Sequence, residues 1–317
     1  MLEKLKQRTL ISIAFAGVLY LAITVYIDFD LLLLSFEKFN LHLIPFLLLL
    51  SMGNYFARYF KWNFYLSELN IKLDKRDSLL IFMSGLLMSV TPGKIGELLK
   101  AYLVKTVNKT PVSVTAPIIF AERATDFLSL TILALIGAYI YDYGRDAALI
   151  ITIFIFIGIL ILTNRKLFDS VMSVLSKIKF VEKRIESIER LYHSTYTLLK
   201  IKPLIIAVLI SVVSWGFECY GYFLVISNFN SVIDVSWSFF SYSFSTIVGA
   251  VSMLPGGLGV TEGSFLLMLT SKGLSANDAA ATTFITRVAT LWFAVLVGVV
   301  AVIFFQRKFG KINFNNE

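Results

Sequence analysis

The sequence predicts an all-α membrane protein, a polytopic transmembrane helical bundle. Of its 317 residues, 57% are hydrophobic and 16% are charged, and the mean hydropathy is +0.78. That much apolar surface cannot be buried inside a water-soluble shell. The apolar segments are about 20 residues long, which is the length of a helix that crosses the hydrocarbon layer. Strand-like alternation is absent from them, so helices are favoured over a barrel.

A second observation is an internal repeat, in which a broken apolar segment precedes a helix that carries one arginine early on. The first break reads MSVTPGKIGELLK and the second reads VSMLPGGLGVTEGSF. Arg123 follows Pro92 by 31 positions, and Arg287 follows Pro255 by 32 positions. The matching order and spacing predict two diverged copies of one unit.

The two copies divide the chain into two membrane halves. The first half is 1–163 and holds repeat one at 78–141, and the second half is 203–317 and holds repeat two at 237–305. Between them, 164–202 has apolar residues at helical spacing among lysines and arginines, which predicts a cytoplasmic amphipathic helix or helical pair. A solvated connector is the alternative.

The first half begins with a span and an acidic loop. Thr9 to Ile27 follows three basic residues and has no small-residue cleavage pattern, so we expect an uncleaved first helix. Asp28 to Asn40 is acidic and is expected outside, whereas the basic stretch after the second helix, Leu41 to Leu66, is expected in the cytoplasm. Near the inner end of this helix, Arg58 and Lys61 are expected to extend their charged ends to the interface.

Repeat one opens with the broken segment Ser78 to Thr106. Basic residues flank it on both sides, so we expect a re-entrant hairpin that enters from the cytoplasm and returns there. A kinked helix that spans the membrane is the alternative. Val112 to Tyr141 then crosses outward, and Ala147 to Thr163 crosses back.

Repeat two is expected in the opposite orientation. Pro203 to Ile226 crosses outward and leads to a loop without lysine or arginine, so the broken segment Trp237 to Ser271 enters from outside. Ala279 to Phe305 crosses back and precedes basic residues, which places the C-terminus in the cytoplasm, like the N-terminus. Inverted repeats with broken helices are a recurring construction of secondary transporters.

The candidate site lies where the two hairpin tips are expected to meet. A helix start carries unpaired N–H groups and partial positive charge, and a guanidinium matches two oxygens of a phosphate, so the arrangement predicts anion binding. The expected hairpin-tip residues are Pro92, Gly93, Gly96, Pro255, Gly256, Gly257 and Gly259. The substrate-binding candidates are Arg123, Arg287, Glu97, Glu262, Lys94, Lys100, Glu122 and Asp126.

The matched arginines and glutamates have structural alternatives. Arg123 and Arg287 either line a substrate path or form ion pairs with nearby carboxylates, and both can hold because an anionic ligand can compete for a pair. Glu97 and Glu262 either hold the hairpins in place or couple to protons.

The unmatched charges are less informative. Lys94 and Lys100 have no counterpart in the second copy, so they either attract anionic headgroups or follow the bias of cytoplasmic segments for positive charge. Glu218 within WGFECYGYF is expected to have a structural hydrogen-bonding role.

Composition also limits the chemistry. His42 and His193 are the only histidines and Cys219 is the only cysteine, which excludes a His-rich metal site and an internal disulfide. We expect no cofactor and no metal. The net charge of +8 is explained by cytoplasmic loops, so no nucleic-acid partner is expected.

Four motifs, TPGKIGELLKAYLVK, FAERATDFLSL, LPGGLGVTEGSF and TRVATLWF, resemble the lysylphosphatidylglycerol synthase transmembrane family of flippase-like membrane proteins. The resemblance covers nearly the whole chain. In the family's aminoacyl-lipid synthases this domain is associated with moving modified phospholipid between leaflets, while a separate soluble domain attaches the amino acid. The sequence ends at Glu317 without such a domain, so lysyl-lipid synthesis is not implied.

The expected function is therefore a lipid translocase in a prokaryotic cell membrane, which moves an anionic or zwitterionic headgroup on a phospholipid or a polyprenyl phosphate. Nothing resembles an ATP site, so a gradient or mass action would drive it. One alternative is a membrane-embedded enzyme with Glu97 or Glu262 as general base. Another is an accessory subunit that positions a lipid-modifying enzyme or glycosyltransferase through 164–202. The oligomeric state is left open.

Overall fold

The computed structural model describes residues 29–91, 95–141, 153, 164–165, 185–229 and 232–310, and these residues are mainly helical and contain no strand. Three helices among them are long and apolar enough to cross a membrane, namely Leu43–Glu68, Ile201–Phe229 and Ala276–Phe309. The prediction of an all-α protein with membrane-spanning helices is confirmed for this part of the chain. The expected first span at Thr9 to Ile27, nearly all of Ala147 to Thr163, the C-terminal residues 311–317 and 166–184 of the connector lie outside the described residues.

The helices follow the predicted order closely. They are α1 Phe29–Lys38, α2 Leu43–Glu68, α3 Lys75–Leu86, α4 Leu99–Asn108, α5 Val112–Tyr141, α6 Ile185–Leu198, α7 Ile201–Phe229, α8 Val235–Val251, α9 Val260–Ser271, α10 Ala276–Arg287 and α11 Phe293–Phe309. Two 3₁₀ turns, Leu87–Val90 and Ile95–Leu98, separate α3 from α4, and a π-helical turn, Val288–Trp292, joins α10 to α11.

The segment expected as an outside loop, Asp28 to Asn40, instead forms helix α1. This helix packs on α10, where the rings of Phe36 and Phe284 lie edge to face with 5.5 Å between their centroids. The Ser35 hydroxyl also donates a hydrogen bond to the Asp278 carboxylate. Ser35 and Phe36 of this acidic segment therefore pack against a neighbouring helix, which a charge count could not indicate.

Side-chain caps fix where three of the helices begin. Asp74 accepts a hydrogen bond from the backbone N–H of Arg76 at the start of α3. Asp234 accepts one from the N–H of Trp237 at the start of α8. Ser275 accepts one from the N–H of Asp278 at the start of α10. Each cap satisfies one of the backbone donors that a helix start leaves unpaired, so the broken segments start at defined residues.

One end of the bundle, which we call the basic end, carries Lys72, Lys75, Arg76 and Lys308. There the Lys308 ammonium pairs with the Asp77 carboxylate and ties the end of α11 to the start of α3. Further along the same contact, a Cβ built on Gly298 would lie 2.1 Å from the backbone nitrogen of Leu87. Helices α3 and α11 are thus antiparallel, and their backbones touch where α3 ends.

The opposite end of the bundle is held together by polar contacts of Lys38, Asn40, Asn228 and Asp278. The Asn40 N–H donates to the Asn228 side chain at 3.0 Å, and the Asn228 amide donates to the Lys38 carbonyl at 3.3 Å. The Lys38 ammonium lies 3.9 Å from the Asp278 carboxylate. Helix α2 therefore runs from the opposite end to the basic end, and α7 runs the other way.

Each broken segment ends near the place where it starts. At the basic end, the Asn108 amide at the end of α4 donates to the Lys72 carbonyl, which precedes α3. At the opposite end, the Lys272 ammonium after α9 lies 5.8 Å from the centre of the Trp237 ring in the first turn of α8.

Candidate functional site

The two broken segments touch each other inside the bundle. A Cβ built on Gly256, in the second break, would lie 3.5 Å from the Cα of Val90, in the first. Val90, Leu258 and Leu291 belong to one buried apolar cluster beside this contact. The expected tip residues Pro92 and Gly93 and the substrate-binding candidate Lys94 lie outside the described residues, so the contact is defined by their neighbours.

The second break turns through glycines with backbone conformations that other residues rarely adopt. The φ angles of Gly256, Gly257 and Gly259 are +60°, +67° and +86°. Such positive values carry little steric cost for glycine, which has no Cβ. Glycine is also required for the close approach of α8 to α9, because a Cβ built on Gly249 would lie 1.8 Å from the Thr261 hydroxyl oxygen.

Arg287 and Glu262 form a buried ion pair that holds this turn. The Arg287 Nε lies 2.7 Å from Glu262 Oε1, and its Nη2 donates to the Gly256 carbonyl at 2.6 Å. The other oxygen of Glu262 accepts the Gly259 N–H at 2.7 Å and so caps α9. The expected role of this helix start in binding an anion is therefore taken by the protein's own carboxylate.

The first break contains the equivalent pair. The Arg123 Nη2 lies 3.3 Å from Glu97 Oε2. Gly96 is held in the turn because its N–H donates to the Thr91 hydroxyl at 3.0 Å, and Thr91 donates in turn to the Met88 carbonyl. Both arginines therefore contact the glutamate of their own repeat, as the ion-pair alternative states.

The Arg123–Glu97 pair is part of a larger group of buried charges, which we call the charge network. Its members are Arg58, Lys61, Glu97, Lys100, Glu122, Arg123 and Asp126. The nearest nitrogens of Lys100 and Arg58 lie 3.4 and 3.8 Å from Glu97 oxygens. Lys100 also pairs with Glu122. Charges enclosed in this way are expensive unless they are paired, and the pairing here is extensive.

Asp126 connects the network to the middle of the bundle. Its Oδ1 lies 2.6 Å from the Lys61 ammonium, and its Oδ2 lies 3.1 Å from Arg123 Nη2. The Ser211 hydroxyl of α7 contacts both Lys61 and Asp126. Helices α2, α5 and α7 thus meet at one hydrogen-bonded carboxylate.

Lys100 is an internal member of the network rather than a surface lysine. Its side chain is 2% exposed, and its ammonium lies 5.0 Å from the Trp62 ring centre and 5.3 Å from that of Phe82. Its stem crosses Gly85, where a Cβ would lie 2.6 Å from Lys100 Cγ. The two roles expected for Lys100, attraction of headgroups at the membrane surface and cytoplasmic charge bias, do not fit this burial.

Arg58 and Lys61 were expected to reach the interface, and this prediction is wrong. Arg58 is 5% exposed and Lys61 is fully buried, because the face of α2 that carries them points into the bundle. The signal was a polar stripe along α2, since Asn54, Arg58, Lys61 and Tyr65 recur at spacings of four, three and four. Such spacing places them on one helical face.

Arg123 is the most accessible member of the charge network. Its side chain is 18% exposed, whereas those of the other members are at most 6% exposed. It also lies three residues after Phe120, an α5 residue that is 58% exposed and so faces away from the protein core. The network is therefore reached most readily from the surface of α5 beside Phe120.

Glu218 lies on α7 and accepts a hydrogen bond from the Tyr242 hydroxyl of α8. This contact agrees with the hydrogen-bonding role expected for it. The residue also lines a small cleft with Ser51, Thr286 and Thr290.

The π-helical turn directly after Arg287 is stabilised from α2. The Ser51 hydroxyl donates to the Ala289 carbonyl at 2.7 Å, and the Tyr55 hydroxyl donates to the Thr290 carbonyl at 2.9 Å. These side chains bind carbonyls of the turn, which departs from ordinary helical bonding. The position of Arg287 is thereby tied to α2 as well as to the second broken segment.

The sequence comparisons identify the family of this membrane protein. A model of the lysylphosphatidylglycerol synthase TM region matches residues 9–298. The chain belongs to this family. The match spans both broken segments, the charge network and the Arg287–Glu262 pair.

Proteins with similar sequences occur in archaea. The UPF0104 membrane protein MJ1078 of Methanocaldococcus jannaschii is 25% identical over 224 residues, which cover 70% of this chain and 95% of the relative. A UPF0104 membrane protein of Methanothermobacter thermautotrophicus is 24% identical over 270 residues, which cover 77% of this chain and 80% of the relative. MJ1595 of M. jannaschii is 22% identical over 273 residues, or 79% and 81% of the two chains.

Proposed function

We propose that this member of the lysylphosphatidylglycerol synthase TM family is a lipid translocase of a prokaryotic cell membrane. An anionic or zwitterionic headgroup, on a phospholipid or a polyprenyl phosphate, would enter beside the two broken segments while its tails stay in the bilayer. The observation that carries the proposal is the contact of the two breaks, Val90 against Gly256, next to the charge network.

The contacts at the two ends support a pair of inverted re-entrant hairpins. The first hairpin begins and ends at the basic end, through Lys72 and Asn108, and the second begins and ends at the opposite end, through Trp237 and Lys272. Basic residues are enriched on the cytoplasmic side of membrane proteins, so we assign the basic end to the cytoplasm. In this topology each hairpin reaches the interior from a different side, as in transporters that alternate access around a central site.

The charge network supplies the chemistry that a headgroup needs. A phosphate that leaves water must exchange its hydration for donors that are already in place. Arg58, Lys61, Lys100 and Arg123 provide four cations within one buried group. Because three carboxylates pair with these four cations and leave one positive charge in excess, the group is held together without a ligand, and a phosphate can compete for a cation that is shared.

A vesicle assay tests the proposal directly. The purified protein is reconstituted into liposomes that contain fluorescent phosphatidylglycerol, and the fraction that an impermeant quencher reaches is followed with time. The assay is repeated with an imposed proton gradient and with a membrane potential. We expect the wild-type protein to expose inner-leaflet lipid faster than empty vesicles in at least one condition.

The variant Glu97→Gln removes the carboxylate that three cations share and is expected to slow the movement. Arg190→Gln is the matched control, because this arginine lies on α6 with its side chain 43% exposed and paired to Glu186. Folded wild-type protein that moves lipid no faster than empty vesicles in all conditions would refute the translocase function. Equal rates of lipid movement for wild type and folded Glu97→Gln would show that the charge network does not contribute to translocation.

A further inference from the structure

The two arginines that the repeat matches are bonded in different ways. Arg287 uses two of its nitrogens, Nε to Glu262 and Nη2 to the Gly256 carbonyl. Arg123 contacts both Glu97 and Asp126 through a single nitrogen, Nη2. Its buried Nε has no hydrogen-bond partner among the described residues. Arg287 therefore holds the turn of the second break together, whereas Arg123 has a donor, Nε, that is not used in a hydrogen bond among the described residues.

The consequences of withdrawing each arginine also differ. If Arg123 moves away, Asp126 keeps Lys61 at 2.6 Å and Glu97 keeps Lys100 at 3.4 Å. If Arg287 moves away, Glu262 has no other basic side chain within ion-pair distance in the described part of the chain. A buried carboxylate left without a cation is strongly destabilising, so only Arg123 can exchange partners at low cost.

We propose that Arg123, and not Arg287, binds the phosphate of the translocated lipid, and that it leaves Glu97 and Asp126 to do so. Arg287 instead stays bound to Glu262 and to the Gly256 carbonyl and stabilises the second hairpin. This inference rests on the proposed function and differs from the symmetrical role expected from the repeat. The ligand is the phosphate group of a lipid, since a guanidinium edge matches two phosphate oxygens and Nε is part of such an edge.

The surroundings of Arg123 favour a lipid over a soluble phosphate. Phe120 lies one turn before it on α5 and is 58% exposed, so an apolar surface adjoins the most accessible cation of the network. A headgroup at Arg123 would leave its tails along this surface of α5. A soluble phosphate ester would gain nothing from that contact.

Native mass spectrometry of the purified protein tests the assignment without requiring lipid movement. Detergent-solubilised protein is titrated with phosphatidylglycerol or with a phosphate-free diglycosyl diacylglycerol, and the occupancy of the bound lipid is measured. We expect selective binding of phosphatidylglycerol by the wild type. Arg123→Gln should weaken it about tenfold or more, and Arg123→Lys, which keeps the charge but loses the planar edge, should weaken it less.

Arg287→Lys is the matched variant, chosen because it keeps a cation beside Glu262. It should lower the thermal unfolding temperature, yet the protein that remains folded should bind phosphatidylglycerol within about twofold of wild type. Arg190→Gln should change neither quantity. Wild-type affinity in Arg123→Gln would overturn the inference, and so would equal losses of affinity in folded Arg287→Lys and Arg123→Gln.

A competition with sn-glycerol 1-phosphate separates the two sources of phosphate. Displacement of the lipid only at concentrations far above those of the lipid supports a lipid site, whereas displacement at equal concentrations would overturn it. The outcomes for the two proposals remain distinct. Arg123-dependent binding without leaflet movement in vesicles would refute the translocase and leave the phosphate site standing, while movement that persists in Arg123→Gln would refute this assignment alone.

Discussion

Arg287 and Glu262 are joined by a buried ion pair in which Nε lies 2.7 Å from Oε1, and 25 residues separate them. Arg123 and Glu97 form the equivalent pair in the first half, 26 residues apart. Each glutamate lies directly after a break, and each arginine lies on the helix that follows its broken segment. The same pairing in both halves is consistent with the predicted repeat, and the contacts around the two pairs differ.

The first prediction concerns the stability contributed by the Arg287–Glu262 pair. Arg287→Met removes the cation and leaves Glu262, which is fully buried, without its partner. Breaking a buried pair in this way costs about 3–5 kcal/mol, so we expect a large fall in the free energy of unfolding. Denaturant titration of the protein in detergent measures it.

The control for this experiment is the surface pair of Arg190 and Glu186, whose side chains are 43% and 87% exposed. Arg190→Met should change the free energy of unfolding by less than about 1 kcal/mol, because exposed pairs contribute little. A similar small effect of Arg287→Met would show that the pair does not hold the hairpin.

The second prediction concerns the contact of α11 with the first break. A methyl group at Gly298 would lie 2.1 Å from the backbone nitrogen of Leu87, and backbone cannot move aside as a flexible side chain can. Gly298→Ala should therefore destabilise the protein by about 1–3 kcal/mol or more, as overpacking does. Thermal unfolding in detergent gives the change.

Gly216 provides the matched control, since a Cβ built there has no atom within 4 Å outside its own helix. Gly216→Ala should leave the protein unchanged or stabilise it by about 0.5–1 kcal/mol, because alanine is the better helix former. If the two alanine variants had equal thermal unfolding temperatures, the close packing of α11 against Leu87 would be refuted.

The third prediction concerns coupling inside the charge network. Lys61→Met leaves Asp126 with only Arg123 among its described ion-pair partners, and Asp126→Leu leaves Lys61 buried without its carboxylate. Each single variant should be destabilised. The double variant should cost less than the sum of the two by about 1–3 kcal/mol, since neither charge is then left alone.

The measurement is a double-mutant cycle of unfolding free energies. Lys272→Gln, at the opposite end, replaces Asp126→Leu in a control cycle with Lys61→Met and should be additive within about 0.5 kcal/mol. Additive effects of Lys61→Met and Asp126→Leu would mean that their 2.6 Å contact contributes nothing measurable.

The helices and their breaks were predictable because hydropathy and glycine or proline interruptions act locally along the chain. The expected span Val112 to Tyr141 coincides with α5, and the expected end of the second break, Ser271, is the last residue of α9. Five of the seven charge-network residues are among the predicted candidates, namely Glu97 and Lys100 in the first broken segment and Glu122, Arg123 and Asp126 on α5. Repeat matching identified Glu97 and Arg123, whereas the other three were indicated by charge within otherwise apolar segments, which is costly unless it is paired.

The burial of Lys61 and the cap formed by Glu262 were not predicted, because they depend on the direction in which a helix face or a side chain points. Rules applied to a single sequence do not determine that direction. Lys61 lies seven residues before the end of α2, where a lysine can extend to the interface, so its burial required knowledge of how α2 packs on α5 and α7. The cap that Glu262 places on α9 was missed for a related reason. Whether a carboxylate binds its own helix start or leaves it open for a ligand is set by its side-chain rotamer.

The fourth prediction concerns topology, and it follows from the contacts at the two ends. In a background with the buried Cys219 replaced by alanine, single cysteines are placed at Arg76, Lys109, Val232 and Lys272, all of which are exposed. A membrane-impermeant maleimide is then applied to intact cells. Because the start and end of each broken segment lie close together, the proposed hairpins predict that Val232→Cys and Lys272→Cys react from outside and the other two only after lysis. Lys272→Cys that reacts only after lysis, with Val232→Cys reactive in intact cells, would show that the second broken segment spans the membrane and would remove the inverted-hairpin basis of the translocase.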